Sequence, residues 1–129
     1  MGKRLNAFGR GTWCTPGGKL EMYEDVYECA RRETMEEAGI EVENLRMVGV
    51  TNDIMREVGS HFITLEFAAD WKSGEARLAE PDTFETWEWF PWDNLPKPLF
   101  PPTQNFVDSG VDPFTATAID TPLSVAHHS

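Results

Sequence analysis

The sequence predicts an α/β fold, and three observations carry the prediction. A capped helix with one distinctive face is expected over about 25–38. Strand candidates follow at about 45–54, 60–71 and 83–90. The chain has 129 residues and 40% hydrophobic content, enough for one modest core and too few for two ordinary domains. One domain over 1–114 is therefore expected. Residues 115–129 are small and polar without a strong pattern, and are expected to form a mobile C-terminal tail.

The helix is the clearest element. Asp25 with Glu28 three residues later makes a capping box, which satisfies backbone N–H groups that the first turn leaves unpaired. Gly39 stands where a helix commonly stops in a left-handed conformation. The stretch 45–54 is rich in Val and Ile, and 60–71 reads Ser-His-Phe-Ile-Thr-Leu-Glu-Phe-Ala-Ala-Asp-Trp. In 83–90, alternation places Trp87 and Trp89 on one face. These strands belong to one sheet or two. Segment 3–19 is Gly-rich with little periodicity and reads as a loop, ending in Thr15-Pro16-Gly17-Gly18. Pro91, Pro96, Pro98, Pro101 and Pro102 make 91–102 mostly extended or turned, and a short second helix is expected at about 103–109 before Gly110. No internal repeat interrupts this order.

Composition excludes several function classes. A net charge of −11 argues against a general nucleic-acid surface, because phosphate backbones need a positive patch. Nowhere do eighteen consecutive apolar residues occur, so no membrane span is expected, and Met1–Gly11 lacks the apolar run of a signal peptide. Cys14 and Cys29 lack CxxC spacing and read as reduced thiols of a cytoplasmic protein. Lys3, Arg4, Arg10 and Lys19 precede an acidic stretch from Glu21 to Glu43. That asymmetry suits a polyphosphate held by basic groups on one side and metal on the other, and equally suits ordinary solvated charge.

The acids of the helix carry the chemistry. Positions 26, 30, 33 and 37 share a face that begins apolar with Val26 and Ala30 and then becomes carboxylate with Glu33 and Glu37, with Glu36 beside them. Like charges at i,i+4 repel, so a cation is expected there. Oxygen donors without histidine or thiolate suit a hard divalent ion such as magnesium or manganese. Arg32 and Glu24 read as an orienting ion pair. From the helix alone, a metal site and an ordinary charged surface helix weigh evenly.

The spacing resolves this balance. Gly18, five residues, Glu24, seven residues, then Arg32-Glu33-Thr34-Met35-Glu36-Glu37-Ala38-Gly39-Ile40 resembles the Nudix box, GX5EX7REUXEEXGU with U aliphatic. Thr34 departs from the aliphatic rule. The resemblance implies a Nudix fold, a mixed β-sheet sandwiched between helices. It implies that Glu33, Glu36 and Glu37 hold Mg2+ or Mn2+, with a ligand from the Gly18 carbonyl, that Glu24 and Arg32 brace loop and helix, and that Glu33 activates the water.

Gly2-Lys3-Arg4, Trp13, Pro16-Gly17-Gly18, the run Trp87 to Trp92 and Asp112-Pro113-Phe114 resemble, over about 2–114, the MutT-related nucleoside triphosphate diphosphatases, particularly the branch whose mammalian member hydrolyses thiopurine and other dNTPs. By that likeness Arg4 and Lys19 approach the phosphates and Thr64 lies near the base, although Thr64 also reads simply as a strand residue. Cys14, Thr15 and Pro101-Pro102-Thr103 depart from the branch and leave its base preference open. The family's strand before Gly2-Lys3-Arg4 has no counterpart here, so a truncated or mis-assigned start is expected, or a sheet edge supplied by another chain.

The expected activity is Mg2+-dependent hydrolysis of a nucleoside triphosphate, a dNTP or modified dNTP, to the monophosphate and pyrophosphate. Two alternatives stand beside it: another nucleoside diphosphate derivative such as ADP-ribose, and a Nudix-like module that binds nucleotides without turnover. The likeness also implies a homodimer. Trp71, Trp87, Trp89 and Trp92 read as core or dimer contacts. His61 reads as structural, and Cys29 as packing.

Overall fold

A computed structural model of the chain describes residues 1–119. Helix α1 spans Val26–Ala38. Asp25 caps it in extended backbone, its carboxylate accepting from the Tyr27 N–H at 3.3 Å. Gly39 closes it at φ 71°, donating its N–H to the Met35 carbonyl. The reciprocal half of the expected capping box is replaced, because Glu28 pairs with Arg31 on the helix surface.

Strands β3 (Glu41–Met55) and β4 (Ser60–Ser73) form one long antiparallel hairpin through a 3-10 turn at Arg56–Val58. Both outrun the expected 45–54 and 60–71, since pairing carries them past the stretches where apolar alternation is visible. A second sheet has the order β2-β1-β5, formed by β1 (Gly2–Arg4), β2 (Trp13–Cys14) and β5 (Phe84–Trp87), with both pairings antiparallel. A parallel bridge joins Trp13 to Leu99. It is made by Trp13 N–H to the Pro98 carbonyl at 2.9 Å and Phe100 N–H to the Trp13 carbonyl at 2.8 Å. The α/β class holds, with two sheets among the described residues.

Three boundaries differ from expectation for local reasons. Segment 3–19 contains β1 and β2, which are too short to show a period. The strand expected over 83–90 stops at Trp87, so Trp87 is buried while Trp89 is exposed, and alternation does not carry Trp89 inward. Trp71 is also exposed, whereas Trp92 packs on Phe106 with ring centroids 6.0 Å apart. Helix α2 runs over Pro101–Asp108 instead of 103–109. Pro101 and Pro102 occupy its first turn, where a missing N–H costs nothing.

Cys14, Ala38, Ile40, Phe84 and Trp87 form the core, flanked by Val42, Ala76 and Phe100. Both cysteines are free and buried. Both helices lie against β3, and Phe106 of α2 sits so close to Gly49 that a Cβ there would meet its ring at 2.9 Å. Ile119 N–H donates to the Met47 carbonyl at 2.8 Å. The rest of the expected tail, 120–129 with His127 and His128, lies outside the described residues. Among the described residues no helix is long and apolar enough to cross a membrane.

Because Asp25 carries the cap and Glu28 only a surface ion pair, the two should separate in unfolding measurements. Asp25→Ala should lower stability by about 1 kcal/mol in urea titration. Glu28→Ala should change it by less than about 0.5 kcal/mol.

Candidate active site

Helical periodicity turns Glu33 and Glu37 toward the body of the protein, and the loop before α1 closes over them. The Gly17 N–H donates to a Glu37 carboxylate oxygen at 2.7 Å. At Gly18 a Cβ would stand 2.5 Å from the Glu33 carboxylate, so a side chain there would displace that carboxylate from its place against the loop. Glu37 is 7% exposed. The Glu33 side chain is 14% exposed and that of Glu36 49%.

Arg32 organises the approach to this face. Its Nε and Nη2 reach the two oxygens of Glu24 at 2.7 and 3.0 Å, a planar fork on a planar carboxylate. Its Nη1 reaches Glu33 at 2.9 Å and Glu36 at 3.2 Å. The Arg32 guanidinium holds the Glu24 carboxyl down at about 2, and Glu24 in turn raises Arg32. One guanidinium thus ties the loop to two of the three helix glutamates.

The opposite holds for Glu37. Burial pushes its carboxyl up to about 8, against the Gly17 hydrogen bond, and the charges of Glu33 and Glu80 add to the rise. Glu33 is raised as well, first by burial, with Arg32 opposing. Glu80 lies in the loop before β5, where its carbonyl accepts from Thr83 and Phe84. Nothing in that loop's sequence marks it, because its charge acts on α1 through space.

A hard divalent cation fits this donor set: three glutamates on one helix with a single guanidinium among them, two of them largely buried, beside a glycine cradle. Among the described residues the carboxylates do not converge on one point, since Glu33 and Glu36 turn to Arg32 and Glu37 to the Gly17 N–H.

The other residues singled out from the sequence are placed as follows. Arg4 donates to the Phe8 carbonyl at 3.0 Å and stacks 4.0 Å above the Phe100 ring. Its charge lowers the Glu37 pKa, which puts it near the glutamates. Lys19 is exposed on the loop. Thr64 stands apart on the hairpin, donating to Asp53. Asp53 is fully buried, and Glu66 is pushed up to about 7 by burial and by the Asp53 charge. Sequence reading missed both acids. The available sign was two carboxylates at alternating positions of apolar strands.

A glycine loop clamped on a buried carboxylate helix within this α/β frame has a close structural counterpart. A MutT NUDIX hydrolase from Burkholderia pseudomallei superposes with TM-score 0.72 at 39% identity, covering 76% of each chain. The NUDIX domain matches residues 1–109, and the chain belongs to the Nudix family.

Curated relatives differ in their named activities. A NAD-capped RNA hydrolase NudC from Pseudomonas aeruginosa is 37% identical over 72% of this chain and 32% of its own length. An oxidized purine nucleoside triphosphate hydrolase from Danio rerio is 33% identical over 74% and 60% respectively. An ADP-ribose pyrophosphatase from Methanocaldococcus jannaschii is 35% identical over 76% and 57%. The chain thus spans between about a third and three fifths of the length of these relatives.

The raised carboxyls set a pH dependence. A group whose folded pKa exceeds its unfolded value stabilises the fold below the unfolded pKa, and this is lost as pH rises through the folded pKa. For Glu37 the window runs from its ordinary 4.5 up to about 8. Melting temperature without added metal should therefore fall across that window, and Glu37→Gln should flatten the fall. Added Mg2+ should raise the melting temperature more at the alkaline end, where the carboxylates are ionised.

Proposed function

We propose that this protein hydrolyses a nucleoside triphosphate, a dNTP or modified dNTP, to the monophosphate and pyrophosphate. The observation that carries the reading is the Gly17-Gly18 loop closed on Glu33 and Glu37, two partly buried, mutually repelling carboxylates of which Glu33 meets Arg32 and Glu37 the Gly17 N–H. A pure binding module has little reason to keep that repulsion. Magnesium, with manganese as a substitute, would be held by Glu33, Glu36 and Glu37 with the Gly18 carbonyl. When bound, the cation supplies charge neutralisation for the phosphates and a lowered pKa for water.

The chain's own groups do the rest. Arg4, held by the Phe8 carbonyl and the Phe100 ring, contacts a phosphate, and Lys19 reaches the outer phosphates from the loop. Glu33 takes a proton from the attacking water. The water oxygen bonds to phosphorus, the P–O anhydride bond breaks, and pyrophosphate leaves. Glu24 and Arg32 hold Glu33 at the correct height on the helix, so their role is positioning. Thr64 lies toward the base.

A second reading keeps this machinery and changes the substrate to another nucleoside diphosphate derivative, supported by the relative named for ADP-ribose. A small nucleotide is favoured over nucleic acid because the net charge is −11. We further propose a catalytic domain over 1–114, a cytoplasmic location and a homodimer, the last supported by exposed Trp71 and Trp89.

Pyrophosphate release from a panel of dNTPs, oxidised dNTPs and ADP-ribose, with and without Mg2+, tests the substrate. Glu33→Gln should lower kcat on the order of 10²- to 10⁴-fold, remove the acidic limb of the pH–rate profile and, because Glu33 would also hold the cation, weaken Mg2+ binding. Glu36→Gln and Glu37→Gln should weaken Mg2+ binding while leaving that limb in place. Full activity in all three variants would refute the mechanism.

A further inference from the structure

Two acids of the β3–β4 hairpin take no part in the proposed hydrolytic step, and one hydroxyl lies between them. Gly49 pairs with Glu66, Thr51 with Thr64 and Asp53 with Phe62, so these positions share the face on which α2 lies. Asp53 is fully buried. Thr51, buried beside it, sets its Oγ1 3.1 Å from Asp53 Oδ2 and 3.4 Å from Glu66 Oε1. Asp53 also accepts from the Thr64 hydroxyl, and from Asn105 Nδ2 at 2.9 Å.

Counting protons shows what this arrangement requires. A hydroxyl has one proton, and an ionised carboxylate only accepts. With both acids ionised, Thr51 satisfies one of the two oxygens and turns a lone pair to the other. One further proton, on Glu66, completes the chain: Glu66 donates to Thr51, and Thr51 donates to Asp53. Burial and then the charge of Asp53 favour that proton, and push the Glu66 carboxyl up to about 7. Among the described residues no cation is paired with either acid. The one charged residue of α2, Asp108, is exposed and accepts from Gln104 Nε2 at 2.8 Å.

Helix α2 rests on this chain of groups. Its Asn105 donates to Asp53, and its Phe106 is seated over Gly49, the residue paired with Glu66. We infer that Glu66 holds a proton on which the docking of α2 depends, so that the helix is clamped to the hairpin while Glu66 is protonated and loosens when it ionises. The folded value of Glu66 lies above its ordinary 4.5, so the proton stabilises the docked helix fully below 4.5, and this is lost as pH rises through about 7. The effect reaches past the hairpin. Phe100 caps α2 and its ring lies 4.0 Å from the Arg4 guanidinium, so a loosened α2 also releases the support of Arg4.

The test reads the helix and the proton separately, and neither arm needs turnover. Amide hydrogen exchange of peptides covering α2, corrected for the intrinsic pH dependence of exchange, reports the docking. In the wild-type chain the protection of α2 should fall about 10-fold between about pH 6 and pH 8, as follows for a group at about 7 when docked and 4.5 when released. Glu66→Gln keeps a donor for Thr51 at every pH, and its α2 protection should stay constant within about twofold over that range. Helix α1 supplies the control, because its pH dependence should be the same in Glu66→Gln as in the wild type. Carbon-13 NMR of the Glu66 carboxyl should show a midpoint near 7 that moves to lower pH in Asp53→Asn, which decides the matter if Glu66→Gln fails to fold. A Glu66 carboxyl titrating at its ordinary 4.5, α2 protection independent of pH, or an equal fall in Glu66→Gln would overturn the inference.

Discussion

The hydrogen bond from the Gly17 N–H to the buried Glu37 carboxylate is the interaction on which the site depends. It pins the loop to the last turn of α1, and every other contact of the site follows from the resulting closeness. Gly18 is brought against the Glu33 carboxylate, which a Cβ there would push aside. Glu24, a few residues further along the same loop, comes within reach of the Arg32 fork. The loop and helix are thereby one unit, and the carboxylates on it are held partly out of water, where each resists ionisation. A surface helix with the same acids would spread them into solvent and lose nothing by it. The strain of crowding makes this face receptive to a cation.

Arg4 connects that unit to the rest of the molecule. It sits in β1, between the core cysteine Cys14 and the rings of Phe8 and Phe100. The turn that presents Phe8 requires Gly9, at φ 76° and with Phe100 2.7 Å from where a Cβ would be. Beyond the rings the hairpin holds Asp53 beneath α2. The fold therefore carries two carboxylate centres of different character. Around Glu33 and Glu37 the acids share one guanidinium, whereas Asp53, with Glu66 near it, accepts only from the neutral side chains of Thr51, Thr64 and Asn105.

Local chemistry made α1 legible. Asp25 and Gly39 mark its ends within one residue, because caps are decided by neighbouring backbone atoms. The placement of Glu33 and Glu37 on one face follows from helix geometry alone. The hairpin showed as apolar runs, although its full length depends on pairing. Short elements left no trace: β1 and β2 have three and two residues, and nothing in so few side chains distinguishes a strand from a loop. Pro101 and Pro102 mislead in the other direction, since proline breaks a helix interior yet starts a first turn well.

By itself, then, the sequence determined the spacing of Gly18, Glu24, Arg32, Glu33, Glu36 and Glu37, the helix that displays them and the family this spacing marks. Only the tertiary structure decided how deeply each acid is buried, that the charge of Glu80 in a distant loop acts on Glu33 and Glu37, and that Thr64 and Asn105 both donate to Asp53 across the hairpin and α2. The physical reason is range. Periodicity and capping act between residues a few positions apart, whereas desolvation and side-chain convergence depend on segments brought together only when the whole chain has folded.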